Sequence, residues 1–151
     1  ACFVDADFAG CKATRRSHTG VIIYLNNAPI IWFSKRQTTV ETSTFGSEIV
    51  AMRIAIELVE GLRYKLRMMG VPINGSTNMY CDNESVVTNV TRPESPCKKK
   101  HNSVAYHKAR ESIAAKTIRI AKEPGDSNPA DLMTKLMGGE VFRNHFKRCM
   151  W

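Results

Sequence analysis

The chain has 151 residues, of which 43% are hydrophobic and 24% are charged. This length and composition are typical of one globular domain with a single core. The longest apolar runs, 20–25 and 54–59, are too short to cross a bilayer. The first residues also lack the basic start and long apolar stretch of a secretory signal. These features exclude an integral membrane protein and argue against a secreted precursor. The absence of an initiator methionine leads us to expect a piece of a longer protein.

The cysteines and the distribution of charge indicate the redox compartment and the kind of binding partner. The five cysteines are scattered and odd in number, which argues against a disulfide framework and favours a reducing compartment. The net charge is +8, and residues 92–122 hold nine Lys and Arg against two Asp and Glu, which gives +7. This concentration predicts contact with a polyanion, most simply nucleic acid. A solvated basic surface explains the same charges equally well.

The first half of the chain is predicted to form three strands and a long helix. Strands are predicted at 2–8, 19–25 and 29–34, as a meander of antiparallel neighbours. Polar residues at 38–47 then offer helix caps. A helix runs from there to about Met69, because apolar residues recur at three- and four-residue spacing up to a Gly and a Pro just beyond it.

The second half alternates between helices and strands. The predicted elements are a strand at 77–81, a helix at 83–90, the basic segment that begins at 92, a helix at 104–115 and a strand at 117–121. Asn128 and Pro129 are typical of the cap and first residue of another helix, which two glycines end at 138–139. This order predicts an α/β fold with a mixed sheet flanked by helices. We expect a domain at 1–138 and a C-terminal helical tail at 139–151.

Four of the fourteen acidic residues occupy unusual positions. Asp5 lies inside the first strand, where aspartate is depleted. Glu48 shares the apolar stripe of the long helix, where a buried carboxylate needs a partner or a cation. Asp82 follows the fourth strand, at the kind of strand end where α/β folds build their sites. Asp131 lies in the first turn of the last predicted helix.

Three of these acids also have an ordinary structural interpretation. Asp82 can cap the helix that begins at Asn83. Asp131 can interact favourably with a helix dipole. Asp5 can face water at a sheet edge, and Asp7 lies on the same strand face as a rival for its role.

Taken together, the four acids indicate a site for divalent cations. Four carboxylates that converge without a counter-charge would repel one another, and their pKa values would rise. Two Mg²⁺ ions would remove this repulsion, since they supply +4 against −4 and prefer oxygen ligands. Two such ions, about 4 Å apart, are a known arrangement for in-line attack on a phosphodiester.

An ordered set of motifs resembles the ribonuclease H domain of copia-type LTR-retrotransposon polyproteins. The resemblance covers about residues 3–137. The motifs are Val4-Asp5-Ala6-Asp7-Phe8-Ala9-Gly10, Thr14-Arg15-Arg16-Ser17 with Thr19-Gly20, Trp32-Phe33-Ser34-Lys35-Arg36-Gln37, Ser47-Glu48, Cys81-Asp82-Asn83-Glu84-Ser85, Lys100-His101, Tyr106-His107 with Arg110-Glu111, and Ala130-Asp131-Leu132-Met133-Thr134-Lys135.

The resemblance implies a ribonuclease-H-like fold with a five-stranded mixed sheet. It also implies endonucleolytic hydrolysis of the RNA strand of RNA–DNA hybrids, which leaves 5′-phosphate and 3′-hydroxyl ends. The cofactor would be two Mg²⁺ ions, for which Mn²⁺ can substitute. The family's catalytic, metal-binding quartet maps onto Asp5, Glu48, Asp82 and Asp131. Asp5 would bridge both metals, Glu48 and Asp82 would hold the leaving-group metal, and Asp131 would help to hold the metal that carries the nucleophilic water. The mobile histidine of many cellular ribonucleases H has no counterpart at 122–126, which implies slow turnover.

Several residues are predicted to contact the hybrid. Phosphate contacts are expected from a basic loop after the first strand, where surface solvation is an equal alternative, and from the basic segment. Contacts to the RNA 2′-hydroxyl are expected beside Asp82. These residues are, in the same order, Arg15, Arg16 and Ser17; Lys98, Lys99 and Lys100; and Asn83 and Ser85. The aromatic side chains of Trp32, Phe33 and Trp151 are expected to pack in the protein rather than against bases.

The family resemblance also implies a setting and leaves alternatives. It implies an upstream reverse transcriptase domain in the same polyprotein, and a cytoplasmic virus-like particle or the nucleus as the location. A catalytically silent domain that binds hybrid or braces the polymerase is the main alternative. An integrase or resolvase core shares the fold, but a glutamate on the helix directly after the third strand, as Glu48 is, favours ribonuclease H.

Overall fold

The computed structural model describes residues 1–95 and 100–149, apart from the side chain of Arg148. In this part of the chain, five strands form one mixed sheet. The strands are β1 (Cys2–Asp7), β2 (His18–Leu25), β3 (Ala28–Arg36), β4 (Thr77–Cys81) and β5 (Ile118–Lys122). Their order in the sheet is β3-β2-β1-β4-β5. β2 pairs antiparallel with both β1 and β3, whereas β4 pairs parallel with both β1 and β5. The predicted mixed sheet with an antiparallel meander is therefore confirmed.

Four α-helices accompany the sheet in the described residues, and none of them is long and apolar enough to span a membrane. The longest begins after Ser43, whose hydroxyl accepts a hydrogen bond from the backbone N–H of Gly46. The division between a domain at 1–138 and a tail at 139–151 stays a prediction. The helices are α1 (Thr44–Met68), α2 (Glu84–Thr91), α3 (Ser103–Ala114) and α4 (Gly139–Cys149).

The core lies between α1 and the sheet. Met52 and Ile56 on α1 are fully buried, as are Val4 on β1 and Met79 on β4. The three- and four-residue spacing that predicted this apolar stripe is therefore confirmed. Glu48 lies one turn before Met52 on the same stripe, so its carboxylate is held between the helix and the sheet.

The edge strand β3 corrects one prediction about aromatic packing. Phe33 packs against the core, as expected, but its neighbour Trp32 points to the opposite side and is 69% exposed. The expectation that Trp32 packs inside the protein is wrong, because successive side chains of a strand alternate between faces. Trp151 lies outside the described residues.

The helix predicted after Asn128 is shorter and tighter than expected. Asn128 does cap it, since its side chain accepts from the N–H of Ala130, but the element is a 3₁₀-helix at Pro129–Met133. The side chain of Asn128 also donates to the carbonyl of Val4, and Ser34 donates to the carbonyl of Met133. These bonds fix both ends of the turn to the sheet, which explains why an α-helix does not continue.

This 3₁₀-helix lies directly against Gly20 of β2, which is paired with Asp5 of β1. A Cβ atom at Gly20 would lie 2.7 Å from Cγ2 of Thr134 and 2.8 Å from the carbonyl oxygen of Ala130. The absence of a side chain at Gly20 therefore makes room for the segment 128–134 beside Asp5.

We predict that Gly20→Ala destabilises the protein by about 1–3 kcal/mol, because the added methyl group overpacks this contact. Gly61→Ala is the matched control, since Gly61 is exposed in α1 with no atom near its missing Cβ. That change should stabilise the helix by about 0.5–1 kcal/mol. Urea unfolding of both variants measures the difference, and equal stabilities would contradict the close contact at Gly20.

Candidate active site

Two parallel strands and two helical segments bring the four acids together. Val4 of β1 pairs with Cys81 of β4, so that Asp5 and Asp82 follow at the same level of the sheet. Glu48 reaches this level from the N-terminal part of α1, as the fifth residue of the helix. Asp131 comes from the 3₁₀-helix that Gly20 admits. The convergence at the carboxyl ends of parallel strands agrees with the usual position of sites in α/β folds.

The carboxylates form two overlapping groups of potential metal ligands. One oxygen each from Asp5, Asp82 and Asp131 lie within 4.8 Å of one another. Oxygens of Glu48 and Asp82 and the sulfur of Cys81 form a second group within the same distance. Asp82 belongs to both groups and joins them into one cluster.

The local contacts remove two structural alternatives. Asn83, and not Asp82, caps α2, because its side chain accepts from the N–H groups of Ser85 and Val86. Asp7 is not a rival of Asp5, since its carboxylate accepts from the N–H of His18 at 2.5 Å and closes the β1–β2 loop.

Burial and mutual repulsion perturb the acids of the cluster. Burial raises the pKa of Glu48 well above its usual value, and the charges of Asp5 and Asp82 raise it further. Burial, followed by the charge of Asp5, also raises the pKa of Asp82. The pKa of Asp131 is raised by burial and by Asp5, although a hydrogen bond from Lys135 opposes the change. Ionisation of Glu48, Asp82 and Asp131 is therefore less favourable in the folded protein than in the unfolded chain.

Lys135 supplies a counter-charge that was missing from the sequence-based prediction. Its ammonium nitrogen lies 2.8 Å from Oδ1 of Asp131 and 3.6 Å from Oδ1 of Asp5. Burial alone would lower the pKa of Lys135, but the hydrogen bond to Asp131 and the charge of Asp5 raise it. Thr134 also donates a hydrogen bond to Asp5. The sequence analysis named only divalent cations as the source of positive charge, and Lys135 adds a second source within the chain.

A sequence signal for Lys135 existed, because Asp131 and Lys135 have the i, i+4 spacing of a helical ion pair. The contact with Asp5 has no such local signal, since it joins opposite ends of the chain.

The predicted phosphate contacts in the β1–β2 loop differ in exposure. Arg15 is exposed and has a left-handed backbone with φ of 56°, and Arg16 is half-buried. Ser17 is fully buried, and its hydroxyl accepts a hydrogen bond from the N–H of Ala9. Ser17 therefore holds the loop together, whereas Arg15 is open to solvent.

The basic segment is attached to α3 at its beginning. Arg110 donates to the carbonyls of Pro93 and Ser95, and the hydroxyl of Tyr106 also donates to Ser95. Lys100 is exposed at the start of a short 3₁₀-helix, Lys100–Asn102. The predicted contact residues Lys98 and Lys99 lie outside the described residues.

The two predicted contacts beside Asp82 have different surroundings. Asn83 is half-buried, and its carbonyl oxygen is used by the helix cap. Ser85 is exposed in the first turn of α2. The nucleic-acid roles of these residues and the catalytic role of the quartet stay predictions.

The donor set fits a hard divalent cation. The group of Asp5, Asp82 and Asp131 offers only carboxylate oxygens, the ligands that Mg²⁺ prefers. A cation would also relieve the repulsion that raises the pKa values of Glu48, Asp82 and Asp131.

The sequence is similar to that of a transposon polyprotein, although no family model matches it. The chain is 31% identical over 147 residues to the retrovirus-related Pol polyprotein from transposon TNT 1-94 of Nicotiana tabacum. The aligned region is 97% of this chain but only 11% of that polyprotein.

Solved structures of ribonucleases H share the fold. A ribonuclease H1 from Halobacterium salinarum superposes with a TM-score of 0.64 at 11% identity, over 95% of this chain and 96% of that one. A second structure, LC11-RNase H1 in complex with an RNA/DNA hybrid, gives a TM-score of 0.67 at 14% identity, over 88% and 91% of the two chains.

We predict that Asp82→Asn raises the melting temperature of the metal-free protein at pH 7. The raised pKa of Asp82 means that ionisation costs folding stability once the pH exceeds the unfolded value of about 4. The gain should therefore shrink as the pH falls and Asp82 becomes protonated in the folded protein, and it should vanish below the unfolded value of about 4. Glu94→Gln removes the same charge at an exposed position and is the control. Equal gains in both variants would argue against repulsion within the cluster.

Lys135→Gln should have the opposite effect and lower the melting temperature of the metal-free protein. The raised pKa of Lys135 means that its charge stabilises the fold at every pH below about 10, so removing it lowers the metal-free melting temperature at pH 7. Addition of Mg²⁺ should recover part of the loss. Lys122→Gln, which breaks the exposed pair with Glu84, should change the melting temperature less. Thermal unfolding in chelator and in Mg²⁺ measures both effects.

Proposed function

We propose that this chain, which matches the ribonuclease H domain of a copia-type Pol polyprotein, hydrolyses the RNA strand of RNA–DNA hybrids. The observation that carries the proposal is the cluster of four acids, three buried and one half-buried, at the carboxyl ends of β1 and β4. The hybrid in the LC11-RNase H1 complex supports the choice of substrate. Since the chain spans about a tenth of its polyprotein relative, the activity is proposed for this segment alone.

The quartet would hold two Mg²⁺ ions, or Mn²⁺ in their place. When bound, such a pair stabilises both the attacking and the leaving oxygen of an in-line displacement. The products are then a 5′-phosphate and a 3′-hydroxyl. The quartet consists of Asp5, Glu48, Asp82 and Asp131.

The remaining side chains of the site position these ligands. Thr134 orients Asp5 by donating a hydrogen bond to its carboxylate, and Lys135 does the same for Asp131. Glu48 is held between α1 and the sheet, where bulk water has little access. The acids are therefore arranged before any cation or hybrid arrives, which reduces the cost of ordering them during the reaction.

Substrate binding is assigned to residues around this cluster. We assign phosphate contacts to Arg15, Arg16 and Lys100, together with Lys98 and Lys99 of the basic segment. Asn83 and Ser85 are assigned to the RNA 2′-hydroxyl, while Ser17 supports the loop that carries the arginines. Such contacts read the backbone and its shape, so cleavage should show little sequence preference.

The proposed setting is a polyprotein with a reverse transcriptase domain upstream of this chain. The similarity to a retrovirus-related Pol polyprotein supports this arrangement. We place the activity in a cytoplasmic virus-like particle or in the nucleus. Hybrid formed by the polymerase would then be the substrate for the neighbouring nuclease.

We predict that the purified protein nicks the RNA strand of a labelled hybrid in Mg²⁺ or Mn²⁺ and spares duplex DNA. Asp82→Asn should lower the cleavage rate at least about a hundredfold, because it removes a charge from both ligand groups. Glu94→Gln should cleave at the rate of the unchanged protein. Gel analysis of end-labelled strands measures both rates.

The alternative is a catalytically silent domain that binds hybrid or braces the polymerase. It predicts hybrid binding without cleavage, even in excess Mn²⁺. Full activity of a folded Asp82→Asn variant would overturn the assignment of the quartet.

Hybrid binding should weaken with salt in proportion to the number of phosphate contacts. Arg15→Ala should reduce the slope of log affinity against log salt by about one, because it removes one such contact. Lys147→Ala, at an exposed position of α4, should leave the slope unchanged. Fluorescence anisotropy at several salt concentrations measures the slope, and equal slopes would remove Arg15 from the interface.

A further inference from the structure

A cysteine thiol lies among the carboxylates of the candidate active site, and the proposed magnesium chemistry does not use it. Cys81 is the last residue of β4 and has no exposed surface. Its sulfur lies 3.9 Å from Oε2 of Glu48. The sulfur and one oxygen each of Glu48 and Asp82 lie within 4.8 Å of one another. Sulfur and oxygen donors are thus combined in one compact group.

We propose that Glu48, Cys81 and Asp82 form a binding site for a thiophilic divalent cation such as Zn²⁺ or Cd²⁺. In a tetrahedral zinc site, bonds of about 2.3 Å to sulfur and 2.1 Å to oxygen place these atoms about 3.6 Å apart. The 3.9 Å between Cys81 and Glu48 is close to that separation. A small side-chain rotation therefore suffices to bring both atoms into coordination.

The charge balance of the site favours such a cation. On coordination, the thiol proton leaves to solvent, and the three ligands then carry three negative charges against the +2 of the ion. Three protein ligands leave the fourth tetrahedral position for a water molecule. No other cysteine in residues 1–95 or 100–149 belongs to a group of three metal-ligating side chains.

The site distinguishes metals by the softness of the ligands. Mg²⁺ takes oxygen ligands and gains little from a sulfur atom, whereas Zn²⁺ and Cd²⁺ bind thiolates strongly. Because Glu48 and Asp82 also belong to the acidic quartet, the two kinds of cation compete for shared ligands. A thiophilic cation therefore displaces magnesium, and it inhibits the cleavage reaction. Only this inhibition rests on the proposed function; the binding of the cation does not.

Titration of the whole protein with Cd²⁺ tests the site without any substrate. Thiolate coordination to Cd²⁺ produces a charge-transfer absorbance in the ultraviolet, which reports on sulfur directly. Cys81→Ser should lose this absorbance and bind Cd²⁺ at least about tenfold more weakly, a loss of about 1.4 kcal/mol. Cys2→Ser is the matched control for a buried thiol, and Cys11→Ser is the control for a more accessible one. Both should retain the absorbance.

Competition and inhibition complete the test. Excess Mg²⁺ should lower the apparent affinity of the protein for Cd²⁺. In the cleavage assay, the Cd²⁺ concentration that halves the rate should be at least about tenfold higher for Cys81→Ser than for Cys2→Ser. Circular dichroism checks that each variant is folded, and Cys81→Ala replaces the serine variant if that one does not fold. An unchanged absorbance in a folded Cys81 variant, or no effect of Mg²⁺, would overturn the proposal. Cd²⁺ binding in a protein that cleaves no hybrid would contradict the proposed function alone.

Discussion

The repulsion between closely placed carboxylates is the constraint on which the rest of this structure depends. Burial strengthens the repulsion, because water no longer screens the charges of Glu48 and its neighbours. The fold nevertheless holds the acids together through the sheet register and through the segment 128–134. Holding the acids together therefore costs stability locally.

Two sources of positive charge can relieve this repulsion. Lys135 belongs to the chain and contacts Asp131 and Asp5, while divalent cations come from solution. The side chain of Lys135 is 42% exposed, so its ammonium group keeps part of its hydration. Among the described residues, no ion pair involves Glu48 or Asp82, on which the charge of Lys135 acts only from a greater distance. The two halves of the cluster thus differ in how their charge is balanced.

Local patterns in the sequence predicted the parts of the structure that local forces determine. The apolar spacing of α1 placed Glu48 on the buried face, and the end of β4 placed Asp82. Long-range contacts explain why the helix predicted after Asn128 was wrong. The hydrogen bond from Asn128 to Val4 helps to confine this segment to a short 3₁₀-helix. Strand periodicity places Trp32 and Phe33 on opposite faces of β3, but it does not show which of the two faces other elements cover.

The hydrogen bonds from Asn128 to Val4 and from Thr134 to Asp5 join residues that are 124 and 129 positions apart in the chain. Contacts of such high sequence separation form late, because the chain must close a very long loop first. During synthesis, β1 leaves the ribosome long before the residues that complete its surroundings. The order of translation therefore delays assembly of the acidic cluster until nearly the whole segment has been made.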